Sequence, residues 1–462
     1  MLSRRLATTR FLMSFQEQVH SAPNGRHTRR RWRIAWLLGI GVLVNYFDRV
    51  NLSISQAALH HDFGIDTIVF GYLLGAYNWT YASLQLPIGV ILDKFGVKRT
   101  GRVSIFLWSM ASFASAVSRS IPAFFGARLL LGVGEAPTFP ANAKAVGRWF
   151  PRAERSSATA IFDSAAKFAS AIGVPILGII LLAIGWRWSF ALTGIISLLY
   201  LVYFWRVYRD PEDDLHLTAE ERAYITADHV APKESATHSA PPLSLLTLTR
   251  QRKVLGVAIG NGSYNYVFYL LLTWLPSYLS TALHVDLLHS FLYTGFPWLF
   301  ATICELSIGG WLTDRLIRRG YDASHVRQVV LVGGMACGLG IFGAAGAHTP
   351  LVALLWISLS IGGLSAAAPI GWSMPSLIAP RSSVGSVGGI FNFSNQLSAI
   401  VAPVLTGYVV AATHSFRWAF AVAAIYLVVG ILAYLLLLGR IEPMFPEDGM
   451  GATSAQLPAN GA

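Results

Sequence analysis

Asp48 and Arg49 stand side by side inside an apolar run from Ile40 to Ile54 that is part of a stretch long enough to cross a bilayer. Each such charge costs about 2.5–3.5 kcal/mol at the centre of a membrane helix, so charges kept there face a wet cavity or one another. Arg128 and Glu135 form a second acid–base set, seven residues apart and therefore two turns along one helix face. Their segment runs opposite to that of Asp48, which predicts Asp48 near Arg128 and Arg49 near Glu135. Burial and a neighbouring guanidinium pull a carboxylate's proton affinity in opposite directions, so small geometric changes load or release a proton. An arginine freed when its acid is protonated can grip a substrate carboxylate through its planar fork. Proton coupling is assigned to Asp48 and Glu135, carboxylate binding to Arg49, and the part of electrostatic partner to Arg128. Asp163 and Lys167 form a third set at i,i+4 spacing.

The elements that position these residues follow from composition. The 462 residues are 54% hydrophobic and 13% charged, with a mean hydropathy of +0.52. About 20 apolar residues span the hydrocarbon core as a helix. Twelve stretches qualify, approximately 34–57, 67–91, 102–118, 122–146, 157–184, 188–206, 254–282, 289–312, 327–347, 351–378, 384–412 and 417–438. They are called spans 1 to 12 in chain order. They lack the period-2 alternation of barrel strands, so the expectation is an all-α membrane protein.

The net charge of +12 is a topology signal and not a nucleic-acid footprint. Basic residues gather at alternate span ends: Arg26 to Arg33, Lys94 to Arg102, Arg148 to Arg155, and Arg315 to Arg319. The opposite loops carry His60, His61, Asp62, His284, Asp286 and His348. By the positive-inside rule both termini are expected in the cytoplasm, in a multi-pass protein of the inner (plasma) membrane. Cys304 and Cys337 lie within spans and have no metal-ligand spacing, so neither a metal nor a disulfide is expected. The segment Met1–Phe15 is Arg-rich and free of acids, like a transit peptide. The alternative is an over-long start with Met13 as initiator.

The chain repeats once. Gly89-Val-Ile-Leu-Asp93-Lys94-Phe-Gly96-Val-Lys98-Arg99 ends span 2, and Gly310-Trp-Leu-Thr-Asp314-Arg315 ends span 8, 221 residues later. Ile161-Phe162-Asp163 answers Ile390-Phe391-Asn392, and Trp186-Arg187-Trp188 answers Phe416-Arg417-Trp418, at offsets of 229 and 230. Two parallel six-helix halves are therefore expected. The divisions are a basic tail (1–33), a first bundle (34–206), a linker (207–253), a second bundle (254–438) and a disordered tail (439–462). Thr218-Ala-Glu-Glu221 is a capping-box pattern and predicts a short surface helix in the linker.

Two such halves with a repeated Gly-x-x-x-Asp-basic turn resemble the major facilitator superfamily, whose members hold substrate near the midplane between rocking halves. Asp93 and Asp314, beside Lys94, Arg99 and Arg315, are expected to latch the inner face through ion pairs. Gly89, Gly96 and Gly310 are expected to allow close helix approach. A narrower likeness lies in Asn45-Tyr46-Phe47-Asp48-Arg49, in Arg128 to Pro140, in Tyr264 to Tyr278, and in Gly388 to Gln396. These resemble the anion:cation symporter family, which imports sugar acids such as hexuronates, aldonates and aldarates with protons. The resemblance implies a substrate pocket from Tyr46, Tyr77, Trp372, Ser373 and Asn392 or Asn395, with Tyr269 also facing it.

The charged pair of span 5 departs from that family. Lys167 is either a second cationic anchor, suited to a dicarboxylate, or simply the neutraliser of Asp163. Glu305, some nine residues inside span 8, either partners Lys167 or faces a water-filled cavity. No phosphate-binding Gly-rich loop supports ATP drive, and no nucleophilic triad supports catalysis. The expectation is a cofactor-free, monomeric, proton-coupled symporter for a small organic anion, most simply a sugar acid. An importer of an aromatic carboxylate such as phthalate, and a membrane receptor or sensor, are the alternatives.

Overall fold

The structure is a computed structural model and describes residues 29–151, 154–226, 245–380 and 383–444. The Met1–Phe15 segment and most of the tail beyond Pro443 lie outside the described residues.

The spans are helices. Span 1 is Arg30–Ile54, continued by the short helix Gln56–Phe63. Spans 2 and 3 form one helical run, Thr67–Val117, broken at Gly96. Span 4 is Ile121–Glu135 followed by Thr138–Trp149, span 5 is Arg155–Ile184 and span 6 is Trp186–Val207. In the second half, span 7 is Arg252–Ser277 with a π turn Tyr278–Ala282. Span 8 runs Leu287–Cys304, then a π stretch Glu305–Leu312, then Thr313–Arg318. Span 9 is Ala323–Gly338 plus Gly340–Ala345, span 10 is Pro350–Ile378 and span 11 is Val384–Thr413. Span 12 is Phe416–Leu432 with Ala433–Leu438. Eight helical runs among the described residues are individually long and apolar enough to cross a membrane.

Side chains set several helix starts. The Asp66 carboxylate accepts from Val69 N at 2.7 Å at the start of span 2, and Asp322 accepts from His325 N at 2.7 Å at the start of span 9. Each satisfies a donor that the first turn leaves unpaired. Gly96, at φ 73° and ψ 172°, makes the turn from span 2 to span 3 in a backbone region open to glycine. Pro137 interrupts span 4 directly after Glu135 and Ala136, since it brings no N–H to continue the ladder.

The linker helix is Ala219–Thr226, and the Thr218 hydroxyl accepts from Glu221 N at 3.2 Å, the capping contact read from the sequence. Glu221 also binds Arg31 Nη1 at 2.9 Å, while Arg31 Nε reaches Glu154 at 2.7 Å and Arg30 reaches Asp214 at 2.8 Å. These two arginines of the predicted basic tail thus clamp the linker under the first bundle. Ile441 N donates to Ser324 Oγ at 2.7 Å, so the end of span 12 lies at the same face as the start of span 9. This face is called the linker end, and the opposite one the far end.

The bundles meet through span 2 against span 11 and span 5 against span 8. Small residues bring them together near the far end. A methyl on Gly71 would lie 2.9 Å from the Pro403 carbonyl oxygen, and one on Gly295 would lie 2.5 Å from that of Ala171. Polar contacts add to this closure. Gln56 accepts from Ser277, Tyr72 meets Tyr408 at 3.0 Å, and Asn78 Nδ2 donates to the Ala399 carbonyl at 3.1 Å. The far end is closed in this conformation.

Candidate functional site

Span 1 brings Asp48 and Arg49 to the inner faces of the first bundle, both buried with Arg128 and Glu135. Arg49 Nε donates to Glu135 Oε2 at 3.0 Å. Glu135 closes the first helix of span 4, so the proline break fixes its depth. The guanidinium carbon of Arg49 lies 4.4 Å from the ring centre of Tyr46, 4.7 Å from Tyr77 and 5.6 Å from Tyr81. Three phenol rings around one guanidinium give cation–π attraction and hold its plane. Tyr269 of span 7 lies within electrostatic reach of the same group, which brings the second bundle to the site.

The set is incompletely satisfied. Arg49 Nη2, Glu135 Oε1 and the Tyr77 hydroxyl are buried and have no hydrogen-bond partner. Such orphans are uncommon in folded proteins, and a water or a bound ligand can satisfy them. Their types fit an oxyanion: the guanidinium and the phenol donate, and the carboxylate can take a proton.

Asp48 and Arg128 differ from expectation. Their side chains do not pair. Asp48 Oδ1 accepts from Ser112 Oγ at 2.6 Å and Oδ2 lies 3.4 Å from Ser197 Oγ, so the carboxylate turns toward spans 3 and 6. Arg128 Nη1 instead donates to the Asp48 backbone carbonyl at 3.3 Å. Adjacent residues on a helix diverge by about 100°, so if Arg49 faces Glu135, Asp48 must point elsewhere. The two serines were missed in the sequence, where nothing distinguishes them from their many neighbours of the same type.

The span 5 pair meets a third partner. Lys167 Nζ donates to Asp163 Oδ2 at 3.0 Å and to Glu305 Oε1 at 3.2 Å. Of the two readings of Glu305, the structure shows the contact with Lys167. The lysine is held by two carboxylates, not by one.

The remaining predicted pocket residues are not brought to Arg49 by any hydrogen bond, ion pair or ring contact among the described residues. Asn395 Oδ1 accepts from Asn261 Nδ2 and, at 2.8 Å, from Asn265 Nδ2, which ties span 11 to span 7. Ser373 donates to its own helix at Ile370 O, and Trp372 packs on Phe391 with centroids 5.3 Å apart. Asn392 is partly buried nearby.

The repeated turns need correction in detail. Nothing lies within 4 Å of a methyl built on Gly89, and one on Gly310 meets only the Glu305 carbonyl at 3.8 Å. Neither serves close packing in this conformation. Gly309 makes the close approach instead, 2.5 Å from the Ala366 carbonyl. The Asp93 side chain lies outside the described residues. Lys94, Arg99, Asp314 and Arg315 are exposed, and Asp314 makes no ion pair among the described residues. Arg315 stacks on Trp311 at 4.8 Å.

Comparison with known proteins decides the class. The sequence profile of the Major Facilitator Superfamily matches residues 38–403 and 321–453. The chain belongs to that superfamily. It is 36% identical over 433 residues to the uncharacterized transporter YybO of Bacillus subtilis (strain 168), covering 94% of this chain and 98% of that one. It is 32% identical over 445 residues to the probable galactarate/D-glucarate transporter GarP of Escherichia coli (strain K12), covering 93% and 98%. Among solved structures, a D-xylose-proton symporter shares the fold with a TM-score of 0.68 at 16% identity, covering 89% of this chain and 98% of that one. The protein is a multi-pass membrane transporter and not an enzyme.

Proposed function

We propose that this transporter imports a sugar acid together with protons, by rocking its two bundles around Arg49, in the plasma membrane and with both termini in the cytoplasm. The Arg49–Glu135 pair with its unpartnered Nη2, Oε1 and Tyr77 hydroxyl carries the reading. A substrate carboxylate displaces Glu135 from Arg49, and Glu135 then takes a proton, since a lone buried carboxylate is costly. Asp48, on its serines, is the second coupling acid, and Arg128 holds the span 1 backbone in place. Tyr46 and Tyr77 face the substrate hydroxyls. A relative named for galactarate and D-glucarate supports a polyhydroxy acid as cargo. The far end, closed in this conformation, is the outer side in this reading.

The test is uptake of labelled galactarate, gluconate and phthalate by bacterial cells producing the protein, at neutral and acidic external pH, with and without a protonophore. Accumulation of a sugar acid that rises in acid and collapses with protonophore is expected. Glu135→Gln should lose accumulation yet keep exchange of labelled for unlabelled substrate. Sodium-driven uptake indifferent to protonophore, or uptake of phthalate alone, would refute the reading.

A further inference from the structure

The cluster of Asp163, Lys167 and Glu305 is not used by that cycle. Asp163 and Lys167 come from the first bundle and Glu305 from the second, so the cluster crosses the interface between them. At 1.5 Å per residue, Lys167 sits roughly 18 Å in from the linker end of span 5. Among the described residues, Lys167–Glu305 is the inter-bundle hydrogen bond nearest that end.

Charge balance separates this cluster from the other buried set. Asp48, Arg49, Arg128 and Glu135 are two acids and two bases. Asp163, Lys167 and Glu305 are two acids and one base. The Lys167 and Glu305 side chains are each 5% exposed and that of Asp163 is 17% exposed. Both Glu305 oxygens lie within 3.2 Å of Lys167 Nζ, yet Oε2 accepts no hydrogen bond. Fully ionised, the three groups would carry one negative charge more than positive. Tyr264 of span 7 is the facing titratable group, Tyr46 of span 1 is within electrostatic reach, Cys304 adjoins Glu305, and span 10 contributes none between 350 and 378. Among the described residues no second base forms an ion pair with either carboxylate.

We propose that Glu305 and Asp163 form a further proton-carrying site, bridged by Lys167 across the bundle interface, which adds one proton per transport cycle to those of the span 1 and span 4 acids. The inference rests on proton coupling as proposed above. In an import cycle the proton loads on the carboxylates while the far end is open and leaves toward the linker end, and Asp163 is partly accessible in this conformation. With a proton on Glu305, its contact with Lys167 changes from an ion pair to a hydrogen bond from the ammonium to an uncharged carboxyl, and the Coulomb attraction across the interface is lost. The cross-bundle link is then weaker, which ties the proton to the rocking movement. Departure of the proton restores the link.

The experiment is the ratio of proton flux to galactarate or gluconate flux, whichever is taken up, in proteoliposomes of the full chain. Glu305→Gln leaves Lys167 and Asp163 as a balanced pair, and Asp163→Asn leaves Lys167 and Glu305. Each should lower the ratio by one proton while exchange of labelled substrate continues. An unchanged ratio in both variants would overturn the site, while a wild type that moves no protons would overturn the coupling itself. Loss of exchange along with accumulation would make the cluster a structural clamp. Failure of both variants to reach the membrane would also overturn the proposal, because a site protonated in every cycle must tolerate its neutral form.

Discussion

Arg49→Lys tests the anchor most sharply. The change keeps the charge and removes the planar fork. In the structure one edge of the guanidinium is spent on Glu135 through Nε at 3.0 Å, and Nη2 is left without a partner. Its faces meet tyrosine rings at 4.4 and 4.7 Å. A guanidinium can satisfy edge and face together because they are orthogonal, whereas an ammonium must choose. The loss is therefore one charge-assisted hydrogen bond, about 1.5–3 kcal/mol, plus part of a buried cation–π contact, about 0.5–1 kcal/mol. At about 1.4 kcal/mol per factor of ten, the substrate KM should rise roughly 30- to 700-fold. The assay is initial uptake rate against concentration, normalised to protein in the membrane. A KM within threefold of wild type at normal abundance would show that the carboxylate binds elsewhere.

Three further outcomes are expected. Lys167→Gln strands two buried carboxylates and should cost about 3–5 kcal/mol of stability. Asp163→Asn added to it should restore thermal stability only in part, since Glu305 stays unpaired, and Glu305→Gln as a third change should complete the recovery. Gly96→Ala should cost about 1–3 kcal/mol, because φ 73° with ψ 172° is a region that only glycine occupies without strain, and a melting temperature in detergent reads it. Asp62, outside the spans, is held down to about 2 by hydrogen bonds from His61, Trp186 and Arg187. A lowered carboxylate stabilises the fold above its ordinary value near 3.8 and loses that contribution as pH falls through about 2. Asp62→Asn should therefore melt earlier than wild type at neutral pH, with the gap closing as the pH falls from 4 toward 2. A gap independent of pH would mean that the carboxylate's charge is irrelevant.

The architecture was legible because its signals are local or repeated. Apolar runs of 20 residues, a turn motif copied 221 residues later, and a capping box at Thr218 each need only neighbours in sequence to be read. The boundaries that shifted did so for equally local reasons that compete with hydropathy. Span 8 continues through charged Thr313–Arg318, since a helix at the bilayer edge loses nothing by presenting arginine to water. Arg30 and Arg31 were read as tail, yet they close ion pairs with Asp214 and Glu221, residues more than 180 positions away.

The site divides along the same line. The Arg49–Glu135 contact was legible from counting depth along two antiparallel spans, which puts the two groups at one level. The same count placed Asp48 beside Arg128 and failed, because depth fixes height along the membrane normal and not direction around the helix. Residues 48 and 49 share a height but diverge by about 100°. Once Arg49 faces span 4, Asp48 faces spans 3 and 6, where two serines satisfy it. Glu305 shows the complementary limit. Depth put it level with Lys167 but left it two surroundings, a cation or a water-filled cavity. The packing of span 5 on span 8 chooses the cation, and that one choice turns a neutral i,i+4 pair into a cluster with an acid to spare. A surplus charge is a property of three groups on two bundles. Those groups meet only where the bundles are together, and so the Lys167–Glu305 contact can report on whether they are.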